Sequence, residues 1–374
     1  MSLVEIFRRL GPEEKNVAFF WSKNEEGWKR KLAWNPVARF EGDSSGLNSF
    51  VQEHEGKLIL GYLAYNYEEE LGFPKLMFFA YEDWLEGDAD IFQDREPCFS
   101  DLDLDFQAET SRKEYESAYK KVKDYIQAGD IYQMNLTVRF RSESKMCSKD
   151  LFCRLIEANP VNFMSYIDLG DNQILSASPE RFIHTKGEMI HTYPIKGTRP
   201  RGATPEEDEL ERQALLDSEK EAAELNMITD LLRNDIGKVS ESGSVVVREH
   251  RVARPYPSIW HTYSHVEGRL KVSPIEALLS MSPGGSITGC PKKRAMEIIS
   301  ELEPFKRGVY TGSIGMIEPN GDIDFNIAIR TILKTPTHAY LQVGGGIVYD
   351  SEQNLEWEEI FNKARPFLTL TQEQ

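Results

Sequence analysis

Short apolar runs of strand length fill the first hundred positions. Val17–Trp21, Lys57–Tyr65 and Leu76–Tyr81 are separated by the turn-forming Asn35-Pro36, Gly42 and Gly87. This stretch carries no catalytic constellation and reads as a sheet layer completing the core. Polar and acidic residues from Asp94 to Glu109 read as a connection. They place a boundary near residue 105, between a β-rich N-terminal region (1–105) and a larger region (106–374). Ser111-Arg-Lys-Glu114 then has the form of a capping box, and Tyr115, Tyr119, Val122 and Ile126 follow at helical spacing until Gly129. Ile131–Phe140 alternates as a strand with Gln133, Asn135 and Thr137 on one face, either a solvent face or the wall of a polar cleft. Ile174–Ala177 is strand-like and ends at Ser178-Pro179-Glu180. Phe182 to His191 suggests a hairpin about Gly187.

Two later helices carry carboxylates on their apolar stripes. Pro205 to Asn234 is helical in pattern, and at about 100° per residue Glu221 and Glu224 share a face with Leu225, Ile228 and Leu232. In the C-terminal helix Glu356 and Glu359 share one with Ile360, Lys363 and Phe367. Such pairs are either surface groups matched by lysines or, turned inward together, an oxygen-rich site for a hard cation such as Mg²⁺. Between these helices, Pro283–Lys292 is a glycine-rich loop leading into a helix near Pro291, with Ala295, Ile298 and Ile299 as core positions. Gly344-Gly345-Gly346 follows the expected strand Tyr340–Val343. Both segments offer backbone amides to an anion. Arg330 sits among apolar residues in the strand-like Phe325–Leu333, where a carboxylate is its natural partner. His261, between Trp260 and Thr262, is a packed core histidine or a catalyst.

Charge narrows the choice of partner. Forty-four basic and 61 acidic residues give a net charge of −17, which argues against nucleic acid or an anionic membrane as the main partner. The four cysteines (Cys98, Cys147, Cys153, Cys290) form no C-x-x-C pair, so reduced thiols in a cytoplasmic protein are expected. No apolar run reaches the length of a membrane span.

One segment stands out chemically. Thr192–Gly202 holds Lys196 between two prolines and two glycines that restrict the backbone, with Arg199 and Arg201 close by. A lysine so held can act as a nucleophile. A solvated loop lysine is the simpler reading of the segment alone.

The order of these motifs resembles the chorismate-utilising enzymes related to anthranilate synthase component I. The likeness rests on Gly129–Leu136, Ser176–Phe182, Pro194–Gly202, Glu221–Asp235, Pro283–Ile299, Arg307–Gly315 and Val343–Lys363, with a looser match over 58–88. It implies an α+β fold of large antiparallel sheets packed together, with helices outside and a deep active-site cleft. It also implies a Mg²⁺-dependent reaction on chorismate, a ring bearing two carboxylates. Carried over residue by residue, Glu221, Glu224, Glu356 and Glu359 match the metal site. Arg330, Tyr310, Lys363, Gly344, Gly345, Gly346, Ser286, Gln133, Asn135 and Thr198 match substrate-binding positions. Glu180 matches the acid assisting departure of the ring hydroxyl, and His261 a catalytic histidine.

Two positions select a branch within that family. Gln133 stands where water-adding relatives carry a lysine base, and Lys196 where anthranilate-forming relatives carry a small residue. Pro194-Ile-Lys-Gly-Thr198, with Asn135, resembles the branch that aminates chorismate at C4 on the way to 4-aminobenzoate and folate, with Lys196 as covalent nucleophile. That branch takes ammonia from a separate glutamine amidotransferase subunit, and no cysteine here lies in a Gly-x-Cys-x-Gly glutaminase elbow. The alternatives are the anthranilate-forming branch, or a non-catalytic protein that binds chorismate or an amino acid.

Overall fold

A computed structural model describes residues 2–87, 104–255, 259–368 and 370. Most of the expected connection after Asp94, and Cys98, lie outside the described residues.

The described residues build two ten-stranded antiparallel sheets. The expected early strands are present as Ala18–Trp21, Leu58–Leu63 and Leu76–Tyr81. They do not stand apart from the rest. Ala18–Trp21 pairs with Phe163–Asp168 in one sheet, and Leu58–Leu63 pairs with Ser313–Ile317 in the other.

Three apolar clusters show the layering. Ala18, Phe20 and Ile174 of the first sheet meet Leu58, Leu60, Tyr62 and Ile314 of the second in a core between the sheets. Alternate residues such as Phe19, Trp21, Met134 and Leu136 face outward onto helices Leu3–Arg9, Arg112–Gln127, Ser148–Ala158, Lys292–Leu302 and Gln353–Leu368. On the far side of the second sheet, Ile183, Ile190 and Val266 pack with helices Ser44–Glu53, Glu219–Val239 and Pro274–Met281. Strands buried on both faces lose the polar alternation of a solvent-facing sheet, so Leu58–Leu63 and Leu76–Tyr81 read as unbroken apolar runs. The fold is α+β, as the family resemblance implies.

Local chemistry sets the boundaries. Ser111 and Glu114 form the capping box of helix Arg112–Gln127, and Gly129, at φ +80°, follows its end. The hairpin turns at Gly187, φ +59°. Three expectations need correction. The helical pattern from Pro205 is interrupted at Ser218, whose extended backbone ends helix Pro205–Asp217. Its hydroxyl accepts from the Glu221 amide and so starts helix Glu219–Val239. Phe325–Leu333 is not one strand: Ile323–Asn326 belongs to one sheet and Thr331–Lys334 to the other, and Arg330 between them takes φ +51°. The glycine triplet lies inside strand His338–Ile347 rather than after a strand, with Gly344, Gly345 and Gly346 opposite Thr137, Leu136 and Asn135.

Candidate active site

The chain passes between the sheets twice at neighbouring points. Gln173–Ser178 of one sheet leads through Pro179-Glu180 to Arg181–Lys186 of the other, and residues 327–330 make the return crossing. The crossings are bonded together: the Ile327 amide donates to the Glu180 carbonyl (3.0 Å), the Ala177 amide to the Arg330 carbonyl (2.9 Å), and the Ser178 hydroxyl to the Ile327 carbonyl (2.7 Å). Glu180 and Arg330 therefore stand together at the seam. Ser286, from the glycine-rich loop, donates to Glu180 Oε1 at 2.8 Å. Burial raises the Glu180 pKa above the usual carboxylate range. Lys196, the Ser286 hydroxyl, Arg330 and Lys363 each pull it back down. Arg330 was expected to be ion-paired, yet among the described residues its guanidinium has no carboxylate within 4 Å. Burial lowers its pKa, with only the field of Glu180 opposing.

Lys196 lies on strand Ile195–Pro200, an edge strand paired to Ile259–Arg269. The register shifts between Lys196 and Thr198, and Gly197 between them has φ +73°. This β-bulge gives the sequence Pro-Ile-Lys-Gly-Thr its structural meaning: glycine accepts the left-handed backbone that re-aims its neighbours. Thr262 Oγ1 donates to the Lys196 carbonyl, fixing the backbone below the side chain. The Lys196 amine itself makes no hydrogen bond or ion pair among the described residues. His261, half-buried, has Nδ1 3.0 Å from both the Gly197 carbonyl and Thr198 Oγ1. Burial lowers its pKa, partly offset by that carbonyl, and Arg330 lowers it further.

Gln133, Asn135 and Thr137 do not form a solvent face, since Gln133 and Thr137 are buried. What the glycines opposite them supply is room. A Cβ at Gly346 would lie 2.4 Å from Gln133 Nε2, and one at Gly345 would lie 3.2 Å from Glu356 Oε2. Tyr310 is buried, and its phenol pKa is raised by that burial.

The four carboxylates divide. Glu221 Oε2 is buried without a hydrogen-bond partner, and burial raises its pKa, with Arg199 opposing and Glu224 adding to the rise. Glu356 is buried, accepts from the Ser351 hydroxyl at 2.7 Å, and is raised by burial in the same way. The field of the Lys220 ammonium reaches both Glu221 and Glu356, so carboxylates from the two helices lie within range of one cation. Glu359 does not turn inward as the stripe predicts. It flanks the buried Ile360 face, is half exposed, and pairs with Lys363 Nζ at 2.6 Å. Lys363 also donates to the Gly344 carbonyl (3.1 Å). The orphaned oxygen of Glu221 and the buried Glu356 fit a hard cation, because carboxylate oxygens suit Mg²⁺ and its charge would offset the repulsion each feels from its neighbouring glutamate. Among the described residues the four do not close into a cluster with three ligand atoms within 4.8 Å.

The residue-level reading missed an anchor. Arg307 and Glu303 form a fully buried bidentate pair (2.9 and 2.8 Å). Arg307 also donates to the Ile287 and Asn135 carbonyls, both at 2.9 Å. It ties the glycine-rich loop to the strand bearing Gln133 and Asn135. Its sequence signal, Glu and Arg four apart, is that of any exposed helix pair. Lys292 is likewise not free for an anion: its amine meets Asp235 (2.6 Å) and the Met281 and Pro283 carbonyls.

Comparison with known proteins gives this constellation a context. The chain is 45% identical over 265 residues to aminodeoxychorismate synthase component 1 of Klebsiella aerogenes, covering 70% of this chain and 59% of that protein. It is 42% identical over 280 residues to anthranilate synthase component 1 of Pseudomonas aeruginosa, covering 74% of this chain and 56% of that protein. It thus spans somewhat more than half the length of these curated relatives. The crystal structure of anthranilate synthase component I from Streptococcus pneumoniae superposes with a TM-score of 0.79 at 31% identity, over 100% of this chain and 98% of that one. The profile of the chorismate binding enzymes matches residues 17–369, so the likeness reaches through the N-terminal strands, and the chain belongs to that family.

Proposed function

We propose that this chain is the synthase component of an aminodeoxychorismate synthase, aminating chorismate at C4 with ammonia from a glutamine amidotransferase subunit. The observation that carries the reading is Lys196. It is a lysine on a bulged edge strand, its amine without hydrogen bond or ion pair among the described residues, beside a buried acid and an unpaired guanidinium.

In this reading Arg330 and Lys363 hold the substrate carboxylates, with Tyr310, Ser286, Thr198, Gln133, Asn135 and the Gly344–Gly346 strand shaping the pocket. Glu180, whose pKa burial raises, gives its proton to the C4 oxygen, which leaves as water. The Lys196 amine adds at C2, the ring double bonds shift, and the C4–O bond breaks. Ammonia then attacks C4, the double bonds shift back, and the C2–N bond to Lys196 breaks. One hard displacement becomes two easier ones. His261, whose Nδ1 meets the Gly197 carbonyl and Thr198 Oγ1 next to Lys196 in the chain, moves a proton in this reading. A Mg²⁺ bound by Glu221, Glu224, Glu356 and Glu359 would supply charge stabilisation to the substrate carboxylate and the departing oxygen.

The test is product identification with chorismate, ammonium and Mg²⁺. The expected product is converted to 4-aminobenzoate by an added lyase. Direct release of fluorescent anthranilate would move the chain to the sister branch, whose curated members are nearly as similar. Binding without turnover would make it a non-catalytic member. Glutamine in place of ammonium is expected to give no product until the partner subunit is added.

A further inference from the structure

Away from the catalytic cluster, on strands Arg181–Lys186, Met189–Thr192 and Ile259–Arg269, lies a group of imidazoles that the reaction does not use. The register sets His184 opposite His191, and His191 opposite Glu267, while His265 is two residues from Glu267 on the same strand and therefore on the same face. His191 Nδ1 lies 3.1 Å from His265 Nε2 and 3.5 Å from Glu267 Oε2, and His265 Nε2 lies 3.7 Å from that same oxygen. Ligand atoms around a tetrahedral zinc, with bonds of about 2.0–2.1 Å, sit about 3.4 Å apart. The three atoms thus outline one face of such a tetrahedron. Among the described residues this is the group in which three ligand atoms gather within 4.8 Å.

The surroundings hold these side chains in place. His184 stacks on His191 (4.7 Å, 18°) and Tyr193 on His265 (4.5 Å, 18°), which fixes the plane of each ring. Arg248 Nε donates to Glu267 Oε1, leaving Oε2 turned toward the two imidazoles. A cation on one carboxylate oxygen and a metal on the other is a recurrent way to orient a ligating carboxylate. The three side chains keep between 10 and 16% of their surface exposed, enough for an ion to enter.

The geometry points to a transition-metal site, His191–His265–Glu267, for Zn²⁺ with water as fourth ligand. Two imidazoles and one carboxylate select zinc over magnesium. The ion would clamp the hairpin strand ending at Thr192 to the strand bearing His261 and Thr262. Lys196 follows four residues after Thr192, so the clamp would brace both strands that flank the proposed nucleophile.

The test uses the full chain, stripped of metal and free of any histidine tag, titrated with Co²⁺. One equivalent is expected to give the intense visible bands of four-coordinate Co²⁺, removed by Zn²⁺ but not by excess Mg²⁺. His191→Gln and His265→Gln should each weaken binding at least ~100-fold, the scale expected for losing a zinc ligand or its support. Glu221→Gln should leave the bands in place. X-ray absorption of the zinc-loaded wild type, which needs no variant to fold, should show two imidazoles. No binding at equimolar metal, bands unchanged in both histidine variants, or a spectrum without imidazole scattering would each overturn the site.

Discussion

At the scale of single residues, the chemistry concentrates on Lys196 and Glu180. Lys196→Ala should lower amination at saturating ammonium by at least ~10²-fold, on the order of what one positioned catalytic group supplies. Chorismate binding should stay intact by calorimetry. An unchanged rate would remove the covalent role and leave the family membership standing. Glu180 has its pKa raised in the folded chain, first by burial. It therefore binds its proton more tightly folded than unfolded. The stability it contributes is present below the ordinary glutamate pKa and is lost as pH rises through its raised value. Activity that needs the protonated acid declines over the same window. Glu180→Gln should flatten that part of the melting-temperature profile relative to wild type while lowering turnover, measured by thermal scans and rates across pH.

Elements position those residues, and here the predictions concern backbone. Gly197→Ala puts a side chain at φ +73° and a Cβ 2.9 Å from Leu215 Cδ1. The expected result is a loss of about 1–2 kcal/mol in urea unfolding, the usual scale of left-handed strain. A larger fractional loss of activity should accompany it, because the bulge aims Lys196 and Thr198. Glu303→Ala strands the Arg307 guanidinium, which is fully buried and holds the Ile287 and Asn135 carbonyls. Breaking one side of such a pair costs about 3–5 kcal/mol. The urea midpoint should fall accordingly, and a shift no larger than that of an exposed pair would refute the anchor.

Over the whole molecule, the carboxylates belong to helices on opposite outer faces of the two-sheet stack, Glu219–Val239 on one and Gln353–Leu368 on the other. A cation held between them would crosslink the layers. Mg²⁺ should therefore raise the melting temperature of the wild type through binding linkage. Glu356→Gln should abolish that rise, read in thermal scans with and without Mg²⁺. Among the described residues no helix is long and apolar enough to cross a membrane.

The sequence by itself determined what depends on neighbours in the chain. Ser111 and Glu114 meet within one helical turn, Gly187 turns its own hairpin, and the period of Glu221 and Glu356 follows from helix geometry. The spacing of seven motifs was also enough to indicate the family. What only the tertiary structure decided involves partners far apart in sequence. Arg330 reads as a strand residue because its apolar neighbours do, but those neighbours serve two different sheets and the arginine is the corner between them. Glu359 and Glu356 have the same local pattern, yet one is half exposed against Lys363 and the other buried. Both stand on helix Gln353–Leu368, and which of them is covered is set by how that helix turns against strand His338–Ile347. Arg307 and Glu303 look like a solvent pair until the glycine-rich loop and the Asn135 strand close over them. Periodicity fixes which way a side chain leaves its own helix or strand, but burial and pairing depend on what the rest of the chain brings to meet it.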